Sequence, residues 1–193
     1  MGFSLGTAAL AAVLAWQRAS EPSDVALAAA LRWRARDPAF GSLPMLVVDF
    51  DRPSFVLRGH LWDPEASRVV ESFFVAHGER SGWASVETVS NEPGSYRSSA
   101  GAFRAGELYR GRHGLSRRLE GLEPGSNDQA FARAIVIHGA PYADGSSIIA
   151  NFGRLGRSEG CLALPPDVAP RVVALLERGA LVYVHAPRAL RAD

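Results

Sequence analysis

The chain has 193 residues, of which 47% are hydrophobic and 21% are charged, a composition typical of one globular domain with a sizeable core. Its 21 Lys-or-Arg positions, all of them Arg, and its 20 acidic residues leave a net charge of +1. That balance excludes a general attraction to nucleic acid or to an anionic membrane, and the single cysteine excludes an intramolecular disulfide.

Residues 1–16 form an apolar run without charged side chains, which Arg18, Glu21 and Asp24 bring to an end. The run is short for a membrane span but has the length of the apolar part of a signal peptide. No basic residue precedes it, and no small-residue cleavage site follows it. We expect residues 1–20 to be a signal peptide or an uncleaved anchor, and the protein to be exported to the periplasm or cell envelope. The alternative is an ordinary N-terminal helix packed on the domain.

Short elements follow in chain order. Residues 25–36 predict a helix, which Asp24 can cap and Asp37-Pro38 ends. Runs rich in β-branched and aromatic residues predict strands over residues 45–50, 54–58, 68–76, 102–109, 115–119, 134–138 and 180–185. Residues 77–101 are rich in Gly, Ser, Asn and Pro and predict a long loop.

A second amphipathic helix is predicted over residues 167–178, packed on the sheet through Val168, Val172 and Leu176. Residues 134–138 are apolar on both faces, which is typical of a central strand. The pattern therefore predicts one mainly β domain over residues 24–190, a β-rich sandwich or barrel with a helix near each end.

The residue types needed for nucleophilic catalysis occur in one segment. His138 ends a predicted strand, and Cys161 follows a glycine-rich turn further along the same segment. A cysteine attacks as its thiolate, and an adjacent imidazole can accept the thiol proton. The alternatives are a buried structural thiol and a strand-end histidine that hydrogen-bonds to the backbone.

Other residues of the segment can assist. Gly160 lets the backbone approach a substrate, and the N–H groups of Gly160 and Cys161 can point at an oxyanion. Ser158 can hydrogen-bond the imidazole or the turn, and Arg154 and Arg157 can hold a substrate carboxylate through a forked contact. Each of these residues also fits an ordinary role in a turn or at the surface.

These motifs resemble the L,D-transpeptidase catalytic domain (YkuD-like) family, through His138-Gly139 followed by Ser158-x-Gly160-Cys161. The resemblance covers residues 46–185 and points to the murein L,D-transpeptidase catalytic-domain-like branch. The further matching segments are His77-Gly78, Asn91-x-Pro93-Gly94-Ser95, Gly111-x-His113-Gly114, Asn127, residues 133–140 and residues 153–158.

The resemblance implies a β-rich fold and a catalytic pair of Cys161 and His138, positioned by Ser158, Gly160 and Gly139. Family members attack the amide before a terminal D-alanine of a peptidoglycan stem peptide and form a thioester. They then pass the acyl group to an amine on a second stem peptide.

Two further residues are expected to bind substrate, and neither a metal motif nor a cofactor motif is found. His113 and Tyr96 stand in loops that can reach the site, and we expect them to bind substrate. No histidine pair has the spacing of a metal motif, and no glycine-rich nucleotide motif follows a strand, so neither a metal nor a cofactor is expected. The expected partners are peptidoglycan stem peptides, with no nucleic acid, and the expected state is a monomer.

The chain departs from the family pattern at three positions beside the nucleophile. Glu159 replaces the His of the better-known members, Ala163 replaces their Arg or Asn, and Leu162 replaces the Pro of the branch. Three functions stay open. They are acyl transfer to an amine, hydrolysis of stem peptides by a cysteine amidase or carboxypeptidase, and binding of the cell wall by a module with little activity.

Overall fold

The computed structural model describes residues 21–192, so the predicted signal or anchor over residues 1–20 lies outside the described residues. The strands, in chain order, are β1 (Met45–Asp49), β2 (Gly59–Asp63), β3 (Arg68–Phe73), β4 (Thr88–Val89), β5 (Gly101–Gly111), β6 (Gly114–Gly121), β7 (Val136–Gly139), β8 (Leu162–Leu164), β9 (Leu181–His185) and β10 (Leu190–Arg191). The predicted mainly β fold is confirmed.

Eight of these strands form one mixed sheet in the order β3-β2-β1-β9-β5-β6-β7-β8, and β4 pairs with β10. The β1–β9 and β7–β8 pairs are parallel, whereas the other neighbours in the large sheet are antiparallel. The predicted strands over residues 134–138 and 180–185 correspond to β7 and β9, and both lie inside the sheet.

Within residues 21–192, three α-helices accompany the sheet: α1 (Asp24–Arg34), α2 (Ser147–Ala150) and α3 (Ala169–Leu175). The side chain of Ser23, rather than Asp24, caps α1 by accepting a hydrogen bond from the Ala26 N–H. Within residues 21–192, no helix combines the length and the apolar character that crossing a membrane requires.

Helix α3 packs on β6 and β7. It is shorter than the predicted helix, but Val172 and Leu176 are fully buried in the main core, as predicted. The buried Arg117 of β6 donates hydrogen bonds of 3.1 and 2.8 Å to the carbonyl oxygen of Val173. Because carbonyls of a last helical turn lack partners within the helix, this arginine fixes α3 against the strands that carry the site.

The predicted strand over residues 54–58 is wrong, because this segment is a loop and β2 begins only at Gly59. Arg58 is fully buried, and its guanidinium donates to the carbonyl oxygens of Val75 (2.8 Å) and Arg52 (3.0 Å). A buried guanidinium needs such partners, so the backbone turns around the side chain instead of extending.

The chain that follows β3 closes the sheet at its other end. Ala76 exchanges two backbone hydrogen bonds with Ala163 of β8, with N–O distances of 2.8 and 3.4 Å. The Ser158 N–H donates to the His77 carbonyl (2.9 Å), and the Glu79 N–H donates to the Ser158 carbonyl (2.7 Å). Residues 76–79 therefore run along the outer side of β8 and hold the turn that leads into it.

Candidate active site

Parallel pairing of β7 and β8 brings Cys161 and His138 together. His138 stands opposite Ala163, two positions beyond Cys161, so that the thiol and the imidazole emerge on the same face of the sheet. Both side chains line one cavity of about 680 Å³. The structure thus assembles the predicted nucleophile and base in a single concave site.

Ser158 organises the turn before the cysteine. Its hydroxyl donates to the Cys161 carbonyl (2.7 Å) and accepts from the Gly160 N–H (3.2 Å). Gly160 has a φ of +119°, and a Cβ at this position would lie 2.8 Å from the carbonyl oxygen of Arg97. Only glycine fits there, and the Gly160 amide is already used inside the turn.

The thiol of Cys161 is partly exposed and donates a weak hydrogen bond to the carbonyl of Ala134, with an S–O distance of 3.7 Å. Burial raises the pKa of this thiol, and the negative charge of Glu159 raises it further. The N–H of Val136 and two arginines of the cavity act in the opposite direction without reversing the shift. The cysteine is therefore a neutral thiol in the resting site.

His138 is buried, and its Nδ1 lies 3.0 Å from the carbonyl oxygen of Gly139. Because a carbonyl can only accept, Nδ1 carries the proton and Nε2 keeps its lone pair. Burial lowers the pKa of His138, and the neighbouring His113 and Arg112 lower it further, although the Gly139 carbonyl opposes them. A neutral imidazole with a free Nε2 is the form that a general base requires.

The tip of the β5–β6 hairpin supplies His113, one of the predicted substrate residues. The His113 ring stacks on His138, and the Nε of Arg112 donates to His113 Nε2 (2.9 Å). Both residues line the main cavity and an adjoining cavity of about 450 Å³. Arg112 was not among the site residues predicted from the sequence. Its position beside His113 in a short hairpin turn is the sequence feature that could have indicated this role.

The two predicted arginines separate. Arg157 lines the cavity, and its Nη1 donates to the carbonyls of Glu79 (3.1 Å) and Gly82 (3.0 Å). Arg154 does not line the cavity, and its guanidinium stacks 4.0 Å from the centre of the Trp83 ring. Of these two predicted arginines, the structure therefore brings only Arg157 within reach of a ligand held beside the thiol.

Tyr96 also lies outside the group of residues that line the cavity. Its φ is +56°, and the guanidinium of Arg80 lies 5.1 Å from the centre of its ring. The tyrosine thus belongs to the surface of the long loop rather than to the wall of the site.

Arg133 is a second cavity residue that the sequence did not single out. Its guanidinium ties the loop over residues 90–99 to the cavity wall. Its acceptors are Ser90 O (2.5 Å), Ser99 Oγ (2.6 Å), Arg97 O (2.6 Å) and Ser95 Oγ (3.1 Å). Because these acceptor atoms are spread over a loop that is distant in sequence, no local motif indicates that Arg133 anchors it.

Tyr142 is the third such residue, and it follows β7 in a single 3-10 turn, Pro141–Ala143. Burial raises the pKa of its hydroxyl to about 12, and the charges of Cys161 and Glu159 act in the same direction. For the part of the chain that the structure describes, no group of three or more His, Cys, Asp and Glu side chains is placed to hold a metal ion.

A family model described as the L,D-transpeptidase catalytic domain matches residues 22–185. Similar solved structures include an L,D-transpeptidase from Mycobacterium smegmatis, with 15% identity and a TM-score of 0.46, covering 74% of this chain and 58% of that one. An L,D-transpeptidase from Xylanimonas cellulosilytica has 14% identity and a TM-score of 0.45, covering 75% of this chain and 61% of that one. The chain thus spans less than two thirds of these structures, and the curated proteins give no match.

Proposed function

Since this chain belongs to the L,D-transpeptidase catalytic domain family, we propose that it is a cysteine-dependent acyltransferase that acts on peptidoglycan stem peptides. In this proposal, residues 24–190 are the catalytic domain of an exported, monomeric protein. The observation that carries it is the shared cavity of Cys161 and His138, with the imidazole held as a neutral base. No cofactor takes part.

Acylation begins when Cys161 Sγ attacks the carbonyl carbon of the donor amide. His138 Nε2 accepts the thiol proton, a C–S bond forms, and the carbonyl oxygen becomes an oxyanion. Because both groups are neutral at rest, the proton moves during the attack and not before it. The backbone N–H groups of Gly160 and Cys161 are the predicted oxyanion donors. Because the Gly160 N–H already donates to Ser158, the Cys161 N–H is the one left for the oxyanion.

The intermediate then collapses to the thioester. The C–N bond breaks, and the amine leaves with the proton that His138 received. An acceptor amine next attacks the thioester, passes one proton to His138, and displaces Cys161 as the C–S bond breaks. His138 returns this proton to the departing sulfur, and the final products are a new amide and the free Cys161 thiol.

Charged residues of the cavity fit peptide substrates with free carboxylates and amines. Arg157 already uses Nη1 on backbone carbonyls, whereas Arg112 is exposed and donates only through Nε to His113. Arg112 therefore keeps its Nη groups for a forked contact with a substrate carboxylate. Glu79 and Glu159 also line the cavity and attract an ammonium group, which favours an amine acceptor over water.

The deciding experiment incubates the protein with a disaccharide-tetrapeptide and follows the products by mass spectrometry. Cross-linked dimers are the expected result. Tripeptide alone would show hydrolysis, and unchanged substrate would leave a wall-binding module. Cys161→Ala must abolish every product, and its unfolding curve must match that of the wild type.

A carbapenem-type β-lactam gives an independent readout of the same nucleophile, because its strained ring imitates the donor amide. The adduct mass should appear on the peptide that contains Cys161, the only cysteine of the chain. His138→Ala should slow the reaction by about 10²–10⁴-fold, the usual contribution of a positioned base. Absence of any adduct on the folded wild-type protein would refute the catalytic function.

A further inference from the structure

The backbone holds Tyr142 firmly in the wall of the cavity. Its carbonyl accepts hydrogen bonds from the Gly156 N–H (2.8 Å) and from the Ser147 hydroxyl (2.9 Å). Its ring lies against Gly156, where an added Cβ would come within 2.4 Å of the Tyr142 Cβ and 3.0 Å of its Cγ. The position of the ring is therefore fixed without help from the phenol.

The phenol itself has no hydrogen-bond partner among residues 21–192. Tyr142 lines the same cavity as Cys161, and the negative charge of Glu159, joined by that of Cys161 once the thiol is ionised, raises the pKa of its hydroxyl. Half-buried hydroxyls normally find a partner. Tyr142 lines the cavity that holds Cys161, where a ligand atom can serve as the acceptor.

The turn before Cys161 is short of donors for an oxyanion. Ser158 consumes the Gly160 amide, which leaves the Cys161 amide from that pair. Preorganised donors aimed at the developing charge contribute strongly to acyl transfer. A second donor can come from elsewhere in the cavity, and the Tyr142 phenol lines it without a partner among residues 21–192.

We propose that the Tyr142 hydroxyl donates a hydrogen bond to the oxyanion formed when Cys161 attacks the acyl donor. This inference rests on the proposed acyl transfer and adds a catalytic residue to it. As the C–S bond forms, the carbonyl π electrons move onto oxygen, and the phenol O–H points at that oxygen. When the intermediate collapses, the electrons return and Tyr142 keeps its proton throughout.

The phenol can act as a donor over the whole working range of pH. Its pKa is raised to about 12, so the hydroxyl stays protonated in neutral and mildly alkaline solution. The negative charge of Glu159, which raises this pKa, also favours the protonated phenol during the attack.

The test compares two reactions of one thiol in Tyr142→Phe. Acylation by a β-lactam passes through an oxyanion, whereas alkylation by iodoacetamide displaces iodide and forms none. We expect acylation to fall by about 10²-fold, as for the loss of one oxyanion donor. Alkylation at the same pH should stay within about twofold of the wild type, because it needs only the thiolate.

Tyr183→Phe is the matched control, since Tyr183 is half-buried in β9 and does not line the cavity. Both reactions should keep their wild-type rates in this variant, and thermal unfolding should show that both variants fold. A wild-type protein that resists acylation would defeat the proposed function itself. Wild-type acylation in Tyr142→Phe, or an equal fall of acylation and alkylation, would overturn only the role of the phenol.

Discussion

The imidazole of His113 lies over the imidazole of His138, with ring centroids 4.3 Å apart and planes inclined by 30°. The two residues belong to different parts of the chain, the tip of the β5–β6 hairpin and the end of β7. Arg112 donates to His113 from the hairpin side, so the tip brings positive charge towards the base. The hairpin therefore influences the protonation of His138 as well as covering it.

Arg112→Gln should raise the pKa of His138, because a permanent positive charge that disfavours its protonation is lost. The base must be neutral to act, so the acidic limb of the rate–pH profile should move to higher pH. An NMR titration of the His138 ring measures the change directly. Arg110→Gln is the control, since Arg110 is exposed on the same hairpin. A His138 titration unchanged by Arg112→Gln would contradict the prediction.

Glu159→Gln should lower the pKa of Cys161, because the carboxylate disfavours the thiolate. Burial is the larger cause, so the thiol should still titrate above its ordinary range. At a fixed pH near neutrality, alkylation by iodoacetamide should become severalfold faster. Glu79→Gln is the control, because Glu79 is a second carboxylate of the cavity but is not among the groups that shift the pKa of Cys161. This variant should leave the alkylation rate unchanged. Equal rates in all three proteins would disprove the effect of Glu159.

The sequence was sufficient to locate His138, Ser158 and Cys161, cavity residues that lie in one continuous segment, residues 134–164. The strand that ends at His138, the turn of Ser158 and the adjacent Cys161 are set by local pattern and by neighbours in the chain. Arg112, Arg133 and Tyr142 could not be found in this way, because each reaches the cavity through tertiary contacts.

The same distinction holds for the fold. Apolar runs such as β1 and β9 are predicted because continuous apolar sequence of strand length and β-branched residues mark them. The three residues of β8 are too few to form a pattern, and their strand conformation depends on pairing with β7 on one side and residues 76–79 on the other. Whereas β8 is a strand that was not predicted, residues 54–58 are a loop that was predicted as a strand. There the chain turns around the buried side chain of Arg58.

Ala134 has a left-handed backbone, with a φ of +55°, although its side chain is exposed. Ala134→Val should destabilise the protein by about 1–2 kcal/mol, because a β-branched side chain is disfavoured in this conformation. Urea unfolding gives the free energy. Ala132→Val is the control at a neighbouring exposed position with an ordinary backbone, and it should cost much less. Equal losses at both positions would show that no strain is stored at Ala134.

The buried His77 makes stability dependent on acid. Burial and the charge of Arg58, which donates to its Nδ1 at 2.7 Å, lower the pKa of His77 to about 3. The unfolded chain protonates this histidine near its ordinary pKa of 6.5, so the folded state loses stability as pH falls from there towards 3. The expected slope is about 1.4 kcal/mol per pH unit over that window.

Urea unfolding at several pH values, in the wild type and in His77→Gln, isolates this contribution from that of the carboxylates. The advantage of the wild type should shrink steadily as the solution is acidified, because glutamine does not titrate. Parallel curves for His77→Gln and the wild type would mean that the proton linkage is absent.

The covering of β8 by residues 76–79 decides how a peptide can be recognised. A strand at the end of a sheet normally presents a row of free amides and carbonyls, on which a foreign chain can lie as an extra strand. Here Ala76 pairs with Ala163 of β8, and His77 and Glu79 pair with Ser158 in the turn just before it. In the proposed function, a peptide therefore reaches Cys161 through the cavity, where side chains contact it. Selectivity for a ligand then rests on the identity of a few wall residues, and it can be altered by substituting them without disturbing the backbone ladder.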